Sequence, residues 1–332
     1  MLPSRPRRNR SSSGIRALVR ETRLSPANLV LPLFVQEGDG ETAIPSMPGH
    51  ARRGIAGTVT VAREAFALGI PAVALFPRID DRLKTPRAEE SANPDGLVQR
   101  TVRALKAAQP GLVVITDVAL DPYSSDGHDG LVIDGRIAND ATLPVLAAMA
   151  VAQARAGADV VAPSDMMDGR VAAIRTALDA AGFSDVGICS YCVKYASAFY
   201  GPFRDALDSA PRANAGIPTG KETYQMDPAN VREALREVAL DEAEGADWLM
   251  VKPGLPYLDV IRAVREASAL PVAAYHVSGE FAMLKAAAAN GWLDYPRCLL
   301  ESLTSLRRAG ADIIFTYGAI DAARLLAQGG GR

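Results

Sequence analysis

From residue 29 onward, short apolar runs alternate with longer segments whose apolar residues recur at helical spacing. The runs at 29–35, 72–76, 112–118, 159–162, 186–192, 247–252, 271–276 and 312–317 predict strands. Segments 59–68, 97–108, 141–156, 171–181, 229–244 and 258–267 are among those that predict helices. Gly69, Gly157, Gly245 and Gly310 each fall where a helix C-cap is expected, and the next strand begins at once. Strands that are apolar throughout are buried on both faces, the signature of a parallel sheet covered by helices. Eight such units predict a (β/α)8 TIM barrel over residues 29–332, preceded by an extended N-terminal arm at 1–28 that makes oligomer contacts. An open doubly wound sheet would need a phosphate-binding glycine fingerprint after the first strand. The stretch after Val35 is Gln-Glu-Gly-Asp-Gly-Glu, which lacks that spacing and opens no helix.

Composition narrows the function classes. The 332 residues are 48% hydrophobic, enough for a sizeable core, and carry a formal net charge of -2, which argues against a general nucleic-acid binder. No apolar run approaches the ~20 residues of a membrane span. Three cysteines make no disulfide framework, so a reducing compartment, the cytoplasm by default, is expected. The basic, acid-free start MLPSRPRRNRSSSG lacks the apolar centre of a secretory signal; its composition permits an organelle transit peptide, but an arm gripping a neighbouring subunit is the preferred reading.

The chemistry of such a barrel lies at the C-terminal ends of its strands. Those ends carry Asp117, Ser164, Lys194, Lys252, Ser278 and Tyr317. A lysine at a strand end is commonly a snorkelling surface residue. Two on adjacent strands of one closed barrel, however, converge on the same mouth. An amine attacks a carbonyl only when unprotonated, and an apolar pocket and a second nearby cation both favour that form. Lys194 and Lys252 are therefore candidate Schiff-base lysines. Arg204 and Lys221 add cations above the mouth, suited to clamping a carboxylate. The stretch from Asp117 to Asp129, rich in Asp, Gly and Ser, reads as a mobile lid. Cys189 and Cys192 spell CxxC within a strand, where positions three apart face opposite ways, and predict buried, inert thiols. His50 and His276 have no evident partners and are expected to be structural.

The strings SYCVKYASAFYGPFRDA, TYQMDPAN, APSDMMDGR, MVKPG, HVSGEFAM and ESLTSLRRAGADIIFTY resemble those of the porphobilinogen synthase (5-aminolevulinate dehydratase) family, in order, from about Arg16 to the end. The resemblance implies a barrel with an N-terminal arm, assembled into homo-oligomers, octamers or hexamers. It implies condensation of two 5-aminolevulinate molecules per active site to porphobilinogen, with loss of two waters. It further implies that Lys194 binds the first substrate and Lys252 the second, that Arg204 and Lys221 hold the first carboxylate, and that Ser278 and Tyr317 hold the second. In zinc-using members, cysteines occupy the positions of Ala119, Asp121 and Asp129, so this chain resembles the branch without catalytic zinc. Asp126 is a further departure, since a histidine is usual there. Glu237 matches a glutamate of the family's allosteric magnesium site. Asp117, Asp121, Asp129 and Ser164 are candidates for amino-group binding and proton transfer. A class I aldolase-type barrel or a non-catalytic barrel scaffold is the alternative.

Overall fold

The computed structural model describes residues 2–211 and 217–329, so residue 1 of the predicted arm and residues 212–216 and 330–332 of the predicted barrel unit lie outside the described residues. Eight parallel strands run in chain order: β1 (Leu29–Val35), β2 (Ala72–Pro77), β3 (Val113–Val118), β4 (Val160–Pro163), β5 (Gly187–Lys194), β6 (Trp248–Lys252), β7 (Val272–His276) and β8 (Ile313–Thr316). Each pairs with the next, and β8 pairs with β1 through Leu29–Ile314 and Val30–Phe315, closing the barrel. All eight predicted strands are present.

Side chains alternate between two buried layers. Val30 and Phe34 of β1, Ala72, Ala74 and Phe76 of β2, and Tyr275 of β7 fill the interior. Leu29, Leu31, Leu33 and Val35 pack outward against helices. On β5, Cys189 and Tyr191 face the interior whereas Cys192 faces the helical layer, so the two thiols point to opposite sides. Strict alternation from Tyr191 would turn Lys194 outward. It does not, because β5 carries one extra residue: Leu249 pairs with Ser190, but Val251 pairs with Val193 and Lys252 with Lys194. This bulge re-aims Lys194 inward, level with Lys252.

The outer layer comprises α2 (Ile55–Ala67), α3 (Leu97–Ala108), α4 (Asn139–Ala156), α5 (Arg170–Ala180), α7 (Arg232–Ala243), α8 (Leu258–Ala267), α9 (Ser278–Ala289), α10 (Tyr295–Ala309) and α11 (Ala319–Ala327), with α6 (Gly201–Leu207) over the barrel mouth. Helix α8 shows how they dock: Val260, Ile261 and Val264 are buried on one face, each contributing about 1.5–3 kcal/mol. Helix α4 ends at Gly157, whose φ of 104° only glycine adopts without strain, so the chain turns straight into β4.

The arm is not wholly extended. It contains a 3-10 turn at Pro6–Arg10 and the short helix α1 (Ser13–Leu18), started by the Ser12 hydroxyl accepting from the Ile15 amide, and neither buries a residue. No helix among the described residues is long and apolar enough to cross a membrane.

Candidate active site

The C-terminal ends of β3 to β6 converge on a cavity of about 30 Å³ lined by Asp117, Asp121, Ser164, Lys194, Lys221 and Lys252, together with Arg204 and aromatic rings. That is room for about one water molecule.

Lys252, the last residue of β6, is 5% exposed. Its Nζ lies 4.6 Å from the ring centre of Tyr275, 5.0 Å from Phe203, 5.1 Å from Tyr191 and 5.2 Å from Tyr200. Among the described residues no carboxylate touches it. Burial first, and the neighbouring Lys194 charge second, push this amine down to about 7, against the pull of Asp117, Asp121 and Asp129. The ring faces partly offset the lost hydration of the ammonium. The result is an amine substantially neutral near physiological pH, as nucleophilic attack requires.

Lys194 sits in the opposite environment. Its Nζ donates to Asp129 Oδ2 at 3.1 Å and to the Ser164 carbonyl. Lys221 Nζ donates to the other oxygen of Asp129 at 2.6 Å and to Asp121 at 3.3 Å. Asp129 therefore bridges two buried lysines, and Asp121 supplies the second negative charge through Lys221. Burial opposes the ionisation of Asp129, but the two ammonium groups outweigh that and hold the carboxyl well below the usual range. Its neighbour His128 is fully buried: Nε2 donates to the Pro218 carbonyl at 2.8 Å, and Nδ1 lies 3.1 Å from the Tyr224 hydroxyl.

Asp117 rises to about 7, first through burial and then through the charge of Asp121, with Lys194 and Lys252 pulling down. Its Oδ1 is buried without a hydrogen-bond partner among the described residues. Near neutral pH such a carboxyl can both accept and release a proton. Asp121 is likewise raised, chiefly by burial.

The predicted lid is a wall. From Val118 to Ser124 the loop is buried, as are His128 and Asp129, because its acids are tied to Lys194 and Lys221 below it. The cover comes instead from the segment after β5, where Phe203 donates its amide to the Ser278 hydroxyl at 3.0 Å. Ser278 and Tyr317 are thus near the mouth but do not line the cavity. The Tyr317 hydroxyl lies 3.1 Å from that of Tyr275, and its ring stacks on Phe34 at 5.6 Å. Glu237 lies apart, on α7 beside Asp168 and Glu233, its carboxyl raised by burial first and then by neighbouring acids, with Arg170 opposing.

The remaining histidines are structural. His276 is fully buried, 3.0 Å from the Thr316 hydroxyl, and pushed down to about 4 by burial. His50 meets Phe281 and Tyr317 edge-on at 5.0 and 5.5 Å. Sequence reasoning missed the aromatic cage. Alternation on β5 marks Tyr191 as inward-facing, but Tyr200, Phe203 and Tyr275 reach Lys252 from separate segments.

The family model of delta-aminolevulinic acid dehydratase matches residues 3–325. The chain is 59% identical over 332 residues to the chloroplastic delta-aminolevulinic acid dehydratase of Chlamydomonas reinhardtii, covering 98% of this chain and 85% of that protein. It is 59% identical over 327 residues to that of Glycine max, covering 98% and 78%. The crystal structure of the Toxoplasma gondii ME49 enzyme, in complex with the reaction product porphobilinogen, superposes with a TM-score of 0.96 at 54% identity, covering 98% of this chain and 92% of that one. These names overturn one expectation. The relatives are called chloroplastic, so the cytoplasmic default does not stand. Compartment is addressed by short receptor-read signals, and neither net charge nor cysteine use reports it.

Proposed function

The chain belongs to the delta-aminolevulinic acid dehydratase family and catalyses the condensation of two 5-aminolevulinate molecules to porphobilinogen, a lyase reaction of tetrapyrrole synthesis; from that premise we propose that Lys194 and Lys252 carry the chemistry as paired Schiff bases. The aldolase and scaffold alternatives fall with that membership. The observation that carries the lysine reading is the pair itself: two buried lysines in register on adjacent strands, one ion-paired and one in an aromatic cage.

In this reading each amine adds to a substrate ketone and expels water, giving an iminium. The iminium on Lys252 makes C3 of the second substrate acidic, and loss of that proton gives an enamine. The enamine attacks the iminium carbon of the first substrate at Lys194. The first substrate's free amine then adds to the Lys252-bearing carbon and displaces Lys252. Loss of a ring proton expels Lys194 as its free amine, and a last proton loss gives the aromatic pyrrole. Asp117, with one oxygen unpartnered and a carboxyl near 7, is placed to take the proton. Asp121, Asp129 and Ser164 order the amines around it. Arg204 has no ion-pair partner among the described residues and is available with Lys221 for the first carboxylate; Ser278 and Tyr317 serve the second once the cover lifts. A 30 Å³ cavity admits no substrate, so the Phe203 segment moves on binding.

Catalysis on this reading uses no zinc. Ala119 offers no ligand, and Asp121 and Asp129 are committed to lysines. Magnesium suits Glu237 as an allosteric ion: burial first and then the acids around it raise its carboxyl, and a bound cation relieves the acids' repulsion. Among the described residues no three His, Cys, Asp or Glu side chains group as a metal-ligand set. The ion would therefore keep most of its waters, as magnesium commonly does. The arm completes a homo-oligomer, octamer or hexamer, burying Leu18 and Val19, which are 83% and 49% exposed in the single chain.

The test is borohydride reduction in the presence of 5-aminolevulinate. Adducts are expected on Lys194 and Lys252, with porphobilinogen production lost in Lys252→Ala. Full activity in either Lys→Ala variant overturns the mechanism.

A further inference from the structure

A carboxylate with no cation beside it is buried behind Lys252. Glu280, in the first turn of α9, is 0% exposed and has no ion-pair partner among the described residues. Its Oε2 accepts from the amides of Val277 and Gly254, the latter at 3.5 Å, and its Oε1 accepts from the amide of Leu255. The Val277 bond is an ordinary helix cap. The other two are not, because they cross to a different loop, the one that leaves β6 directly after Lys252.

The need for that crossing follows from where the sheet ends. The β6–β7 ladder stops at Val251–Ala274, one residue short of Lys252. Pro253 has no amide hydrogen, so the next main-chain donors are Gly254 and Leu255, in a region too dry to leave them unpaired. On the β5 side, the Lys252 carbonyl is held by the Tyr195 amide at 3.0 Å and the Tyr200 hydroxyl at 3.1 Å. On the β7 side the loop after Lys252 is tied by Glu280. The space is close as well: a Cβ on Gly254 would lie 3.0 Å from the Tyr275 carbonyl oxygen and 2.8 Å from Leu306. Both oxygens of Glu280 therefore serve as acceptors; burial pushes this carboxyl up to about 7, and the three amides pull against that rise.

We propose that Glu280 is a positioning residue for Lys252: its carboxylate locks the strand end that presents the amine to the neighbouring loop that presents Ser278. The inference rests on the reading of Lys252 as a Schiff-base lysine. Glutamine keeps the shape but turns one donor-acceptor contact into donor against donor; aspartate keeps the charge but loses a methylene of reach. Misplacing a reacting group by about 1 Å costs on the order of 100-fold in rate.

The experiment uses the full-length assembled enzyme, with borohydride trapping by 5-aminolevulinate, peptide mapping of both lysines and steady-state kinetics. Glu280→Gln is expected to lower kcat by about 10- to 100-fold, with the Lys252 adduct falling and the Lys194 adduct retained. If Glu280→Gln does not accumulate as folded protein, Glu280→Asp is read the same way. Wild-type kcat and wild-type Lys252 trapping overturn the proposal, as does an equal loss of both adducts, which marks a general structural role. Absence of a Lys252 adduct in the wild-type enzyme overturns the lysine reading itself, and this inference with it.

Discussion

Burial brings Lys252 and Asp117 both near 7 from opposite directions, lowering the amine and raising the acid. Each acts only when deprotonated, the amine as nucleophile and the carboxylate as proton acceptor. Activity is therefore expected to rise with pH through about 7, and the ascending limb belongs to the pair rather than to either residue. Asp117→Asn separates them. Asp117's negative charge raises the Lys252 amine, so its removal moves the pH limb of Lys252 trapping downward, while turnover falls for want of a base. Measuring trapping and turnover across pH 6–9 in both proteins checks this, and an upward move of the trapping limb contradicts it.

At the scale of elements, the loop after β3 holds two buried ammonium groups on one carboxylate. Among the described residues, Asp129→Ala leaves Lys194, 6% exposed, without a carboxylate partner and Lys221, 7% exposed, with Asp121 alone. A loss of about 3–5 kcal/mol is expected, as for other broken buried pairs, read from the urea midpoint; a change below about 1 kcal/mol would mean the lysines find other partners. The segment after β5 behaves differently, since it must lift for substrate to enter. Amide exchange at Phe203 is expected to be faster than in β5 without substrate and to slow when 5-aminolevulinate is bound. Equal protection in both states would leave entry unexplained.

For the molecule as a whole, the single chain leaves apolar groups uncovered: Leu18 on the arm, and Trp292 at 75% and Leu293 at 45% exposure between α9 and α10. Deleting residues 1–19, which removes Leu18 and Val19, is expected to yield smaller assemblies by light scattering, and an unchanged mass refutes the arm's role. A zinc-selective chelator is expected to leave the rate unchanged, because Ala119, Asp121 and Asp129 offer no thiolate. Chelation that abolishes turnover, with rescue by zinc alone, overturns that reading of the loop. Removing magnesium is expected to reduce activity at most, through assembly or affinity.

The sequence by itself determined the barrel. Continuous apolar runs and glycine stops are local signals, and each strand of a parallel sheet must be buried on both faces, so the pattern survives folding unchanged. It also placed Lys194 and Lys252 at neighbouring strand ends. Tertiary structure alone decided that they face each other, because alternation from Tyr191 would send Lys194 outward and only the bulge against β6 returns it. It decided, too, that the acids of the Asp117–Asp129 loop form a wall. Asp and Gly in a run look solvated until two lysines from distant segments arrive to neutralise them. The aromatic cage of Lys252 was hidden for the same reason. Its four rings come from Tyr191, Tyr200, Phe203 and Tyr275, and only barrel closure and the fold of the covering segment gather them around one amine.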